Sequence, residues 1–170
     1  MLGGRRKTKA GADRPAPSIK AIAVRLLARR EYGRAELGAR LRARGAAADE
    51  VERTLEELAA LGYLSDARFA EALVRSRSGQ FSRRAIAYEL KEKRIADDAA
   101  HAALASLSGR DEIAEATALW TRRFGTPPRD ERDKARHVRF LLSRGYSMSI
   151  ALKVLRRARA HAAPDADDPA

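Results

Sequence analysis

Residues 41–58 read LRARGAAADEVERTLEEL, and the pattern returns at 90–107, LKEKRIADDAAHAALASL, and at 141–158, LLSRGYSMSIALKVLRRA. Leu41, Leu90 and Leu141 open the three stretches, and Arg44, Lys93 and Arg144 follow them by three residues. Val51, Ala100 and Ala151 come at ten, Leu55, Leu104 and Leu155 at fourteen, and Leu58, Leu107 and Ala158 at seventeen. Apolar positions three, four and seven apart mark the buried face of a helix. The chain therefore states one helical unit three times, with a period of about 50 residues. A strongly basic array of such units is a binding surface before it is an enzyme.

Composition agrees. Ala, Leu, Arg and Glu, all good helix formers, dominate the 170 residues, while aromatics make up 5%. Strand-favouring Val, Ile, Thr and Tyr are sparse. There is no cysteine, which excludes disulfides and thiolate metal sites and suits a reducing cytosol. No apolar run approaches the ~20 residues of a membrane span, and the N-terminus lacks the apolar segment of a secretory signal. The expectation is a cytoplasmic, soluble protein that does not engage a membrane. Its 35 Lys plus Arg outnumber 23 Asp plus Glu, a net charge of +12. That excess draws the chain toward polyanions or acidic protein surfaces. GC-rich coding accounts for part of the preference for Arg over Lys, but not for the net charge.

Working outward from the repeats, residues 1–17 form a basic arm and 161–170 an acidic tail, both without apolar periodicity and both expected to be disordered. Between them the spacing predicts three three-helix units at 18–64, 65–108 and 109–160. In the first, Ser18 caps a helix carrying Ile19, Ile22, Ala23, Leu26 and Leu27. A second helix runs over 34–44 with Leu37 and Leu41 inward and Gly45 at its end. A third starts at Asp49, with Glu52 completing an acidic capping box, and buries Val51, Leu55, Leu58 and Ala59. In the second unit Ser65 precedes Phe69, Ala70, Leu73 and Val74; Ser82 precedes Ile86 and Leu90; Asp97 precedes Ala100, Ala103, Leu104 and Leu107. The third opens near Asp111 with Ile113, Thr117, Trp120 and Phe124 inward, and Pro127 and Pro128 break the chain. Ala135, Val138, Leu141 and Leu142 follow, then Ser147 as a cap before Ile150, Val154 and Leu155. Short connections force steep, helix-turn-helix-like crossings. The fold class is all-α: three tandem three-helix repeats in an elongated array that can curve.

Catalytic chemistry finds no foothold. Phosphate-cradling glycine loops, the Gly-x-Ser-x-Gly elbow and His-Glu-x-x-His are all absent. His101, His137 and His161 lie in different helices without ligand spacing. No cofactor, metal, small-molecule substrate or enzymatic activity is expected. The basic residues are richer. Arg68, Arg75, Arg83, Arg84, Lys91, Lys93 and Arg94 crowd the middle unit, and Arg136, Arg139 and Arg144 the third. Arg83 and Arg84 stand in the first turn of a helix, where the dipole favours acids; an anionic partner would account for them. The alternative is a solvated face with Glu89 and Glu92 as local partners. Tyr63 and Tyr146 are read as core plugs, whereas Phe81 and Tyr88 fit either a core or a base-stacking role.

One stretch is specific to a family. Leu61-Gly62-Tyr63-Leu64-Ser65-Asp66-Ala67-Arg68-Phe69-Ala70, with Glu36, Leu37 and Leu41 before it and Gly79, Ile86, Glu89, Leu90 and Ile95 after it, resembles the bacterial regulatory RecX family. That family's pattern runs Gly-Tyr-Leu-Asp-Asp-x-Arg-Phe-Ala, then Gly, Ile, Glu-Leu and Lys-Gly-Ile. The segment from Leu141 to Ser147 resembles its last repeat. Three departures stand out: Ser65 replaces an acid, Arg94 a helix-ending glycine, and Gly33 a hydroxyl cap. The resemblance implies a modulator of the RecA–DNA filament, mostly inhibiting its ATPase, strand-exchange and coprotease activities in recombination, DNA repair and the SOS response. It implies RecA as partner, with single- or double-stranded DNA alongside, and a monomeric chain. The competing expectation is a protein that binds DNA directly through helix-turn-helix-like units.

Overall fold

The computed structural model describes residues 17–162. The expected basic arm and acidic tail therefore lie outside the described residues, except for Pro17 and the final two helical residues. Nine helices and no strand occur among the described residues. The first repeat holds α1 (Ile19–Leu27), α2 (Arg34–Arg42) and α3 (Ala48–Ala60). The second holds α4 (Asp66–Arg77), α5 (Arg83–Glu92) and α6 (Asp97–Ala105). The third holds α7 (Glu112–Arg123), α8 (Glu131–Ser143) and α9 (Met148–Ala162).

Each repeat closes its own core. Ala23, Leu37, Leu41, Val51, Leu55 and Leu58 pack in the first; Phe69, Leu73, Ile86, Leu90, Leu104 and Leu107 in the second; Trp120, Val138, Leu141, Tyr146, Val154 and Leu155 in the third. The principal helix–helix packings are all within repeats. None of these helices is long enough to persist alone in water, so each depends on the two beside it.

Helix starts follow local chemistry where a side-chain oxygen stands at the boundary. Ser18 Oγ accepts from the Ala21 N–H at 3.2 Å, Ser65 from Arg68 at 3.3 Å and Ser82 from Ala85 at 3.2 Å. Asp111 accepts from Ile113 at 2.9 Å, and Asp130 caps α8 through the Asp133 N–H at 2.7 Å. The expected caps Asp49 and Asp97 do not act as caps. The boundary residues are Ala47 and Ala96, neither with a side-chain cap, and the acids sit inside the first turn. The reason is the repeat register. Residues 47, 96 and 147 each lie six past the opening leucine, and only Ser147 supplies an oxygen there, 3.3 Å from the Ile150 N–H. The displaced acids still favour the positive end of the helix dipole. Ala96 is exposed, so Ala96→Ser has room to cap α6; it should raise stability by about 1 kcal/mol, read from the denaturation midpoint.

The left-handed turn that ends the second helix of each repeat also keeps register. Gly45 (φ +88°), Arg94 (φ +58°) and Gly145 (φ +87°) are equivalent, so Arg94 holds a conformation that costs a side-chain-bearing residue about 1 kcal/mol. On α8 the inward face differs from expectation: His137, Val138 and Leu141 are buried, whereas Ala135 and Leu142 are exposed. The helix is turned so that His137 meets Trp120, a pairing no hydropathy pattern announces. On α7, Ala116, Leu119 and Trp120 are buried, while Ile113, Thr117 and Phe124 are half-buried at the margin. Tyr146 is 0% exposed, as expected of a core plug, but Tyr63 is 56% exposed and is not one.

His137 is 3% exposed; Trp120 Nε1–H donates to its Nδ1 at 3.2 Å, and Phe124 stacks on its ring at 3.7 Å. The indole nitrogen can only donate, so Nδ1 must be unprotonated. Burial, then the charge of Arg136, pulls the imidazole pKa below its ordinary value, while Asp133 opposes. A depressed folded-state pKa favours the neutral ring. Its contribution is intact above the unfolded value near 6.5 and is lost as pH falls below it. Thermal unfolding between pH 7.5 and pH 5 should show this loss, and a His137→Gln variant should lack that component.

The repeats are joined by a few specific contacts. At the first junction Gly33 offers α2 no side-chain cap, and the Arg34 N–H instead donates to Asp66 Oδ1 of the second repeat at 2.7 Å. A Cβ on Gly33 would stand 3.3 Å from Ile95 and 3.4 Å from Phe69, so the backbone itself is packed against the second repeat. At the second junction the Ser82 N–H donates to the Arg144 carbonyl at 2.9 Å. A Cβ on Gly145 would meet Ala85 Cβ at 2.5 Å and Ser82 Oγ at 2.6 Å.

Candidate partner-binding surface

The ten expected basic residues divide by what they touch. Arg68 is a staple of the first junction. Its Nε donates to Glu31 at 2.9 Å, and its Nη2 to the carbonyls of Gly62 at 2.9 Å and Tyr63 at 3.1 Å. Arg144 is half-buried at the second junction, its guanidinium 4.8 Å from the Phe81 ring centre and 5.4 Å from that of Phe140. Lys93 pairs with Glu36 across the first junction at 3.7 Å, and Arg75 with Glu71 at 3.8 Å along α4. Arg94 shapes its turn. Arg68, Lys93 and Arg144 thus engage the junctions between repeats, while Arg75 and Arg94 remain exposed.

Arg83, Arg84 and Lys91 are different. All three are exposed on α5, and none has an ion-pair partner among the described residues. Glu89 is occupied by Arg77 through two contacts of 2.8 Å, and that guanidinium holds its carboxyl below the usual range. Glu92 lines the groove between the first two repeats. Among the described residues Glu92 is the one α5 acid free of an ion pair, so against these three cations the α5 surface keeps a positive excess, and Tyr88 stands within it, 65% exposed.

Arg136 and Arg139 open onto a second basic feature, a cleft of about 680 Å³ between the α7–α8 connection and α8. Arg123 and Arg129 complete it, with Phe124 and Phe140 beneath. The Arg123 and Arg136 guanidiniums lie 5.6 and 5.7 Å from the Phe124 ring centre, which limits their freedom. Asp133 is the paired acid here, 3.6 Å from Arg129 and 3.1 Å from Arg136. Low-dielectric walls around excess positive charge strengthen attraction for anions. Sequence reasoning missed Arg123 and Arg129 because they flank a loop whose path brings them back to α8. By contrast the groove between the first two repeats, about 570 Å³, is balanced: Glu52 accepts from Arg34 at 3.0 Å and lies 3.6 Å from Arg42.

Most of the family-motif residues are packed or hydrogen-bonded within the fold. Leu37, Leu41, Leu64, Phe69, Ile86 and Leu90 are buried, Asp66 caps α2, and Gly62 takes φ +74°. Tyr63 packs into no core. Glu36 gathers Arg30 at 2.5 Å, Arg40 at 3.4 Å and Lys93. Burial pushes its carboxyl pKa up, but the Arg30 hydrogen bond and these charges leave it below the ordinary value. No group of metal-ligating side chains occurs among the described residues, and no helix among them is long and apolar enough to cross a membrane.

Comparison with known proteins places these observations. Family models described as the first, second and third three-helix domains of RecX match residues 20–58, 65–104 and 110–155. The regulatory protein RecX of Ralstonia nicotianae is 39% identical over 152 residues, covering 89% of this chain and 94% of that protein. That of Chromohalobacter salexigens is 44% identical over 142 residues, covering 82% and 90%. The crystal structure of RecX from Lactobacillus salivarius superposes with a TM-score of 0.63 at 20% identity, over 84% of this chain and 95% of that one, and so shares the fold.

Proposed function

The chain belongs to the RecX family, and from that premise we propose that it binds the RecA–DNA filament and mostly inhibits it. The regulated activities would be ATP hydrolysis, strand exchange and coprotease function in recombination, repair and the SOS response. The observation that carries the reading is the positive excess at Arg83, Arg84 and Lys91 on a chain of three small, separately cored domains. A polymer of protein and DNA offers acidic faces and phosphates in series, and linked modules that each bind modestly add through effective concentration. Seated across neighbouring subunits, such an array would hinder filament growth or the subunit closure that ATP hydrolysis needs. The chain would act as a monomer in the cytoplasm, without catalysis or cofactor.

Titrating the protein into RecA assembled on single-stranded DNA should lower the ATPase rate in a saturable way. An unchanged rate at large molar excess would overturn the reading. Direct DNA binding is the second reading, favoured by the unpaired arginines. It requires that affinity for DNA alone match affinity for the filament and fall steeply with salt.

A further inference from the structure

The outer face of α5 carries an open aromatic ring among unpaired cations. Arg84, Tyr88 and Lys91 are spaced four and three residues apart, so they share one stripe of the helix. Arg83 adjoins it. Elsewhere in this protein cations lie over rings: exposed Arg30 is 3.7 Å from the Tyr32 ring centre, half-buried Arg77 and Arg144 cover Phe81, and exposed Arg123 and Arg136 cover Phe124. Tyr88 has no such cover among the described residues, and its side chain is the most exposed of the large hydrophobics.

We propose that this stripe is a binding site for single-stranded nucleic acid, with one base stacked on Tyr88 and the flanking phosphates held by Arg84 and Lys91, supported by Arg83. The inference deepens the filament reading and rests on it for biological setting, naming which component this face meets. Charge complementarity selects a polyanion. Within polyanions, an exposed ring between cations matches a strand whose bases are free to leave the stack. In a duplex the base faces are already covered by neighbouring pairs, and a side chain on a convex helix reaches only edges and phosphates. Arginine adds a planar, two-point contact to phosphate that a solvated lysine does not.

The test uses the full-length protein, a fluorescent oligothymidylate and an abasic strand of equal length and charge, followed by anisotropy at fixed salt. Tyr88→Ala should weaken binding to oligothymidylate by about tenfold, while Tyr88→Phe keeps the wild-type affinity. On the abasic strand, wild type and Tyr88→Ala should bind alike. Equal affinity of Tyr88→Ala and wild type for oligothymidylate would overturn the proposal. So would an equal loss on both strands, since stacking could not then be the cause. A wild-type chain that ignores both strands, yet still slows the filament ATPase, would sink this inference and leave the filament reading standing.

Discussion

Replacing Gly145 by alanine should destabilise the third repeat by about 3 kcal/mol and release it from the second, whereas Gly45→Ala should cost only about 1 kcal/mol. The two glycines are matched in backbone: both occupy the same turn of their repeats, at φ +87° and +88°. A side chain on either suffers the same left-handed strain. They differ in what surrounds them. Around Gly45 nothing lies within 4 Å of the would-be Cβ, but at Gly145 that atom would sit 2.5 Å from Ala85 Cβ and 2.6 Å from Ser82 Oγ. Neither neighbour is the free end of a long side chain. Ala85 has no torsion to turn, and Ser82 is fully buried with its hydroxyl committed to the Ala85 N–H. The junction would have to open, and the Ser82 N–H to Arg144 carbonyl bond would go with it. Chemical denaturation should therefore separate the two variants, and limited proteolysis should cut the Gly145→Ala chain between its second and third repeats. Equal losses would mean that the junction contributes nothing.

Reversing Arg83, Arg84 and Lys91 to glutamate should abolish most inhibition of the RecA ATPase while leaving the fold intact or more stable. Like charges placed against an anionic partner cost several kcal/mol, and a loss of about 3 kcal/mol is roughly a hundredfold in affinity. The stability change runs the other way. Arg83 and Arg84 occupy the first turn of α5, where acids gain about 0.3–1 kcal/mol each from the dipole, while an acid in place of Lys91 in the last turn loses a similar single increment, so two gains outweigh one loss. Function lost as the melting temperature holds or rises would separate binding from folding. Reversal of Arg25, Arg29 and Arg44 in the first repeat provides an equal change of net charge. If that control weakens inhibition as much, overall charge governs and the α5 surface is not the site. Unchanged inhibition by the α5 variant would exclude it directly.

Much of the fold was legible because helical repeats encode it locally. The leucines at 41, 90 and 141 are all fully buried, and Ser18, Ser65, Ser82 and Asp111 cap where a polar residue meets an apolar run. The failures share a different origin. Asp49 and Asp97 looked like caps to a local rule, but packing of the third helix against the second set its start one or two residues earlier. Tyr63 and Tyr146 both follow a glycine at a helix end, yet one ends the third helix of its repeat and the other the second. Only the latter points into a core. His137 was invisible for a related reason, since its burial depends on an indole donor 17 residues away.

The candidate surface was legible only as composition. Arginine content predicted an anionic partner, but Arg68 and Arg144 look no different in sequence from Arg83 and Arg84. What separates them is the acid, carbonyl or ring that the chain's return brings alongside.

The sequence by itself determined the helical class, the threefold repetition, most of the buried face and the family, because periodicity and capping act over a few residues. Tertiary structure alone decided which cations are spent on the junctions, that Asp66 caps α2 from the next repeat, and that Gly145 must have no side chain. Those outcomes depend on contacts between residues far apart in the chain, and such contacts exist only once the repeats have docked.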